Sequence, residues 1–399
     1  MTASGARRSR PARLTGAVVT GLRRTLTIAL LFALVPVVAA LLVVAALLCA
    51  PVSLATRGPW RPVRITCFAL LYLLVDLAGV TAAAGLWARR LPEGRAGAER
   101  RAADAFAVLE RLLRVLRRAG ERVFRLRVEV TPPLPGGTGA GAAPLLVFAR
   151  HAGTGDSFLL LQTLLGRAGL RPHTVLKRVL RADPALDVLI GRVPHCFLPS
   201  LRGRSEDAIG DLAAGLGPGD ALVLFPEGGN FTPRRRRRAI ASLRRRGAPG
   251  RASRAERMHH VLPPRDAGAL AAIAAAPTAD VVFVAHTGLD AIHSVRTAWN
   301  RLPLRESVRA HWWRIPAGRV PRAAGRRRPQ RVAARPVGPR RPLDGPPRRS
   351  GRDTRVRPRR PGCSEGRAGP AAARHSVAVV PSPDALPASH WSHPRLKSA

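Results

Sequence analysis

From Thr25 to Ala50 the chain runs for 26 residues without a charged side chain, TLTIALLFALVPVVAALLVVAALLCA. Few structures can hold such a run. In an apolar environment each backbone N–H and C=O needs a partner, and a helix supplies all of them from within itself. At 1.5 Å per residue the run is long enough to cross a hydrocarbon layer of about 30 Å. Pro36 is expected to kink it. A second apolar stretch, Val63 to Trp87, carries Arg64 at its start and Asp76 in its middle. Asp76 should therefore face a partner helix or mark a re-entrant hairpin. A cleaved signal peptide is not expected, because the first run exceeds the usual apolar region and no small-residue cleavage site follows it.

Charge around these runs is uneven. Arg7, Arg8, Arg10, Arg13, Arg23 and Arg24 precede the first and Arg89, Arg90, Arg95, Arg100 and Arg101 follow the second, against Arg57, Arg61 and Arg64 between them. The positive-inside rule then places both ends, and the domain that follows, on the cytoplasmic side of the cell membrane. Residues 1–24 read as a basic tail and 25–90 as the hairpin. Over residues 98–127, Ala105, Val108, Leu109, Leu112, Leu113, Val115 and Leu116 recur at helical spacing with arginines on the other face. This basic amphipathic helix either lies on an anionic membrane or packs on the domain with its charges solvated.

A net charge of +43 would ordinarily suggest nucleic acid. The kind of charge argues otherwise: 65 arginines stand against two lysines, Lys177 and Lys397, with a single tyrosine, as a GC-rich coding sequence produces. Aromatic residues at 4% offer few stacking platforms for bases. Anionic lipid headgroups are the expected charged partner, and nucleic acid is not. Cys49, Cys67, Cys196 and Cys363 show neither metal-ligand spacing nor a disulfide framework.

Beyond a Pro/Gly-rich link, Leu145–Ala149 reads as a buried strand and Ser157–Leu165 as an apolar helix, so the intervening His151-Ala-Gly-Thr-Gly-Asp156 sits at a strand-to-helix crossing. A second strand and turn follow at Ala221–Phe225 and Pro226-Glu-Gly-Gly229, and a third strand at Val281–Ala285. Alternating strands and helices predict an α/β domain over residues 128–315, with its ligand at the carboxyl ends of the strands. A histidine five residues before an aspartate on such a turn can be held in one tautomer and take a proton from a hydroxyl.

At these residues the sequence resembles the glycerolipid acyltransferase family, whose best-known members are the 1-acylglycerol-3-phosphate acyltransferases. HAGTGD resembles the family's His-four-Asp motif and Phe225-Pro226-Glu227-Gly228 its FPEG motif. Val175–Leu180 with Gly191–Arg202 stands where the second block lies, and Val261–Arg265 where the fourth does. The resemblance implies an α/β sheet flanked by helices and preceded by a transmembrane or re-entrant hairpin. It further implies that His151 is the general base on the acceptor hydroxyl of a lysophospholipid and that Asp156 orients it. Phe225, Pro226, Glu227 and Gly228 would then bind the acceptor, joined by Arg202 and Arg234. The donor would be acyl-CoA or acyl carrier protein, with no bound cofactor or metal. The chain departs from the family after FPEG: Gly229-Asn230-Phe231-Thr232 stands where Thr-Arg is usual, so the customary phosphate-gripping arginine is absent there, and Arg234–Arg238 lie a few residues on.

Two other readings arise from the residues. Gly155-Asp156-Ser157 with Asp290-Ala-Ile-His293 resembles blocks of a lipase/esterase family, in which Ser157 would be the nucleophile, His293 the base and Asp290 its orienter. A catalytically inactive membrane-associated binding protein is the third. From about residue 316 to 399 the text turns to Arg, Pro and Gly without apolar periodicity, which reads either as a disordered basic tail or as out-of-frame translation of a GC-rich gene.

Overall fold

The structure is a computed structural model and describes residues 10–56, 58–89, 94–132, 142–153, 155–198, 204–290, 292 and 295–321. Arg202, His293 and the segment 322–399 lie outside these, and with them the acceptor-binding assignment to Arg202, the base assignment to His293 and the reading of the tail.

Two long helices open the chain, α1 (Arg10–Ala55) and α2 (Arg61–Ala88). Both are long and apolar enough to cross a membrane by length and composition. α1 begins well inside the stretch read as a basic tail, because residues 10–24 continue the helix of the apolar run behind them. Along α1 many leucines and valines stand exposed, among them Leu30, Leu41, Leu47 and Leu48, while Leu31 is buried.

α2 is fastened to the rest of the fold along its length. At its start Arg61 Nε donates to the Leu302 carbonyl at 3.0 Å and Arg64 donates to that of Val123. In its middle Tyr72 hydrogen-bonds Asp183, and Asp76 Oδ1 accepts the Ala185 N–H at 2.9 Å. Asp76 thus caps the first turn of α5 (Pro184–Ile190) together with the N-cap Asp183, which accepts the Leu186 N–H. Arg23 and Arg24 of α1 converge on Asp187 of the same helix, both at 2.7 Å. A hairpin whose turn and root both bind the α/β domain cannot carry that turn across a bilayer while the domain stays behind. The hairpin lies along the domain, held at its root, its middle and its turn.

Then comes α3 (Arg95–Phe124), close to the predicted amphipathic helix. Part of its apolar stripe is buried, Ala105 and Leu113 among it, and Ala105 and Phe106 pack with Ile190 and Val193, while Val115 stays exposed. Of the two expected uses of that stripe, the structure shows packing on the domain.

The sheet has seven strands among the described residues: β1 (Val128–Thr131), β2 (Leu145–Ala149), β3 (Arg171–Leu176), β4 (His195–Phe197), β5 (Asp220–Leu224), β6 (Asp280–Thr287) and β7 (Val308–Ile315). Their order is β1-β7-β6-β2-β5-β3-β4, parallel throughout except where β6 meets β7. β2 lies between β6 and β5, with Phe148 opposite Phe283 and Leu224. Both faces of β2 are covered, which is why its sequence is a continuous apolar run and not an alternation. Leu145 and Val147 face α4 (Asp156–Gly166), packing with Leu164, Ala168, Val223 and Val282. Leu146 and Phe148 face α6 (Arg204–Ala214) and α9 (Asp266–Ala275), packing with Ile209, Ala213, Leu222, Ala269 and Ala272. Helices α7 (Pro233–Arg245) and α8 (Pro249–Arg257) pack together after β5, and α10 (Val295–Arg301) precedes β7. The predicted α/β class holds; the antiparallel join at β6 and β7 and the parallel edge pair β1 and β7 are additions that short apolar runs do not reveal.

Candidate active site

The turns after β2 and β5, neighbours at the centre of the sheet, meet at its carboxyl edge. In the first, His151 Nδ1 lies 3.1 and 3.0 Å from the two oxygens of Asp156. Asp156 is an acceptor, so Nδ1 carries the proton and Nε2 is left as the basic nitrogen. Asp156 Oδ2 also accepts the N–H groups of Ala152 and Gly153, at 2.9 and 3.2 Å, and Oδ1 accepts the Ser157 N–H and Oγ–H. Gly153 permits this turn: a Cβ there would stand 2.4 Å from the Leu289 carbonyl oxygen, closer than any side chain tolerates. Burial raises the proton affinity of Asp156, but the imidazoles of His151 and His286 and the Gly153 N–H outweigh it, so the carboxyl titrates well below the usual range.

In the second turn Phe225 packs its ring on the imidazole of His151, centroids 4.6 Å apart. Glu227 is buried, and both its oxygens bind backbone: Oε1 accepts the His151 N–H at 2.9 Å and Oε2 the Leu262 N–H at 2.8 Å. Here burial prevails over the two backbone N–H groups and nearby Arg150, and the Glu227 carboxyl is pushed up. The Pro226 carbonyl accepts the Arg265 N–H, and the His151 carbonyl accepts that of Phe231. The FPEG turn therefore fixes the backbone of the histidine from both sides, and Glu227 is a clamp between His151 and the Val261–Arg265 segment.

Gly228 has φ +68°, and a Cβ there would meet the Arg265 guanidinium at 3.0 Å. A Cβ on Gly229 would lie 3.5 Å from Arg235 and 3.9 Å from the Lys177 ammonium. Three cations from separate elements thus crowd one turn beside the histidine. The departure from Thr-Arg has a local reason: Thr232 Oγ1 accepts the Arg235 N–H at 3.2 Å as N-cap of α7, with Pro233 at its first position. Starting the helix there folds Arg235 back over the turn, where its guanidinium donates to the Asn230 carbonyl. Arg234, beside it, is exposed. Arg235 falls within the Arg234–Arg238 run and Arg265 at the end of the Val261–Arg265 segment, but nothing in the sequence singled either out from its neighbours.

Between α4 and the sheet lies an apolar cavity of about 120 Å³, walled by Leu145, Val147, Leu160, Leu164, Val282 and Val284 and reaching Asp156 and His286. The esterase constellation does not assemble among the described residues: Ser157 donates its Oγ–H to the Asp156 carboxylate and not to a histidine, and Asp290 pairs with Arg150.

No family model matches the chain, and no curated protein matches it. Among solved structures it is similar to the 1-acyl-sn-glycerophosphate (LPA) acyltransferase PlsC from Thermotoga maritima, at 14% identity over 65% of this chain and 88% of that one, with a TM-score of 0.40.

Proposed function

We propose that the protein is a membrane-associated acyltransferase that moves a fatty acyl group from acyl-CoA or acyl carrier protein to the free hydroxyl of a lysophospholipid, with 1-acylglycerol-3-phosphate as the acceptor and phosphatidate as the product. The observation that carries this reading is His151, held by Asp156 at Nδ1 with no bond to Nε2 among the described residues, tied through Glu227 to the three-cation turn, while its partner Asp156 reaches the apolar cavity. His151 Nε2 takes the acceptor's hydroxyl proton as the oxygen attacks the thioester carbonyl. The C–O bond forms, the C–S bond breaks, and the proton passes to the leaving thiolate. Asp156, ionised at neutral pH, balances the imidazolium that forms in between.

Lys177, Arg235 and Arg265 supply the charge that an acceptor phosphate needs, through charge-assisted hydrogen bonds. The cavity takes the acyl chain, burying methylene groups at about 0.8 kcal/mol each. The exposed apolar face of α1 enters one leaflet, and the arginine-rich surface meets anionic headgroups on the cytoplasmic side, where the acceptor resides.

The test is acyl transfer from labelled acyl-CoA to lysophosphatidate in membranes carrying wild type, His151→Ala or Ser157→Ala. Loss in His151→Ala with activity kept in Ser157→Ala supports the proposal. Hydrolase activity that only Ser157→Ala abolishes would replace it with the esterase, and binding of lysophosphatidate without turnover would replace it with a binding protein.

A further inference from the structure

His286 on β6 belongs to no motif and is far from His151 in sequence, yet the sheet brings it to the other side of Asp156. Its Nε2 lies 3.2 Å from the Arg150 carbonyl oxygen and 3.6 Å from Asp156 Oδ2. Its Nδ1 is buried without a hydrogen-bond partner among the described residues, and the ring lines the apolar cavity. These contacts fix the tautomer. Both atoms facing Nε2 are acceptors, so Nε2 carries the proton, and Nδ1 turns a lone pair toward apolar surroundings. At 3.6 Å the approach to Asp156 is too long for a full hydrogen bond, but in a buried site the N–H dipole still acts on the carboxylate.

We infer that His286 is a positioning residue for the His151–Asp156 pair: its Nε2–H pins the backbone just before His151 and directs a positive dipole at the carboxylate that orients the base. The inference rests on the acyltransferase reading for its kinetic consequences and on geometry alone for its structural ones. Without the dipole, the Asp156 charge acts on His151 with less to offset it, so the imidazolium is favoured. The neutral base then requires a higher pH. The other charged groups around the pair are Glu227 on the turn after β5, Arg150 and Asp290 beside β6, and the Lys177, Arg235 and Arg265 cations. His311 and Arg314 of β7 line the cavity with His286. None of these changes in the variants below.

The experiment uses the full chain in lipid nanodiscs as wild type, His286→Leu, His286→Asn and His286→Gln. Gln can carry an N–H close to the Nε2 position, whereas Asn stops short of it. Two readouts are taken against pH: kcat and KM for acyl transfer to lysophosphatidate, and the rate at which diethylpyrocarbonate modifies His151, followed by peptide mass spectrometry. The expected result for Leu and Asn is a kcat lower by about 10–100-fold, as for other groups that orient a reacting side chain, with KM within about twofold. The acid limb of kcat/KM and the modification midpoint should both move to higher pH, and Gln should restore most of each. Unchanged kcat and acid limb in Leu and Asn would overturn the inference, as would equal losses in all three variants with an unmoved acid limb. If wild type transfers no acyl group, the functional reading fails. The modification profile then decides: a midpoint raised in Leu and Asn and restored in Gln upholds the positioning role, and identical profiles reject it.

Discussion

Asp156 and Glu227 are both buried carboxylates, on turns that follow the adjacent strands β2 and β5, and both serve His151, yet their protonation is tuned in opposite directions. Asp156 receives His151, the dipole of His286 and the backbone N–H groups of Ala152, Gly153 and Ser157, and this excess of donors holds it ionised. Glu227 receives two backbone N–H groups, which do not offset its burial. Burial alone therefore does not set a carboxylate's state; the number and kind of donors it collects does. The same fold thereby keeps one acid charged beside the imidazole and employs the other as a brace.

The largest effect that would test this contrast is on turnover. Asp156→Asn should lower kcat by about 10²–10⁴-fold, as loss of a positioned acid–base partner does, and His151→Ala at least as much, measured with labelled acyl-CoA. A brace behaves otherwise. Glu227→Ala leaves two buried N–H groups unpaired and should cost about 2–4 kcal/mol of stability, read from denaturant midpoints. If Glu227→Ala unfolds no more easily than wild type, the contrast breaks.

At the cation turn, Lys177→Ala and Arg265→Ala should each raise KM for lysophosphatidate by about 10–100-fold, equivalent to a charge-assisted hydrogen bond of about 1.5–3 kcal/mol. Exposed Arg234→Ala should change it by less than about twofold.

The smallest effect is the pH slope of stability, and it sharpens the comparison. The folded value of Asp156 lies below its unfolded one, so its contribution is full above the ordinary aspartate value of about 3.9 and is lost as pH falls. Glu227 runs the other way: its folded value is raised, so its contribution is full below about 4.3 and is lost as pH climbs through that raised value. Asp156→Asn should flatten the acid side of the stability curve, and Glu227→Gln should remove a loss on the rising side, in midpoints followed from roughly pH 3 to pH 8.

Much of this site was legible because it is local. His151 and Asp156 are five residues apart on one turn, and β2, α4 and β5 are continuous apolar runs whose ends fell within a residue of those expected. His286 was not legible as a partner, since nothing in a strand reading VVFVAHT marks which acid its ring will meet. Asp76 was legible as an anomaly, a charge within an apolar helix, but the group it satisfies, the Ala185 N–H, lies 109 residues on.

The sequence by itself determined the apolar hairpin, the α/β class and the pairing of His151 with Asp156, because hydrophobic periodicity and short spacing act through neighbours along the chain. The tertiary structure alone decided that the hairpin lies along the domain. It also turned Glu227 onto two backbone amides, gathered Lys177, Arg235 and Arg265 at Gly228 and Gly229, and set His286 against Asp156. Each of these depends on the order and register of the strands, which is fixed by packing both faces of β2 at once and is not encoded in any single segment.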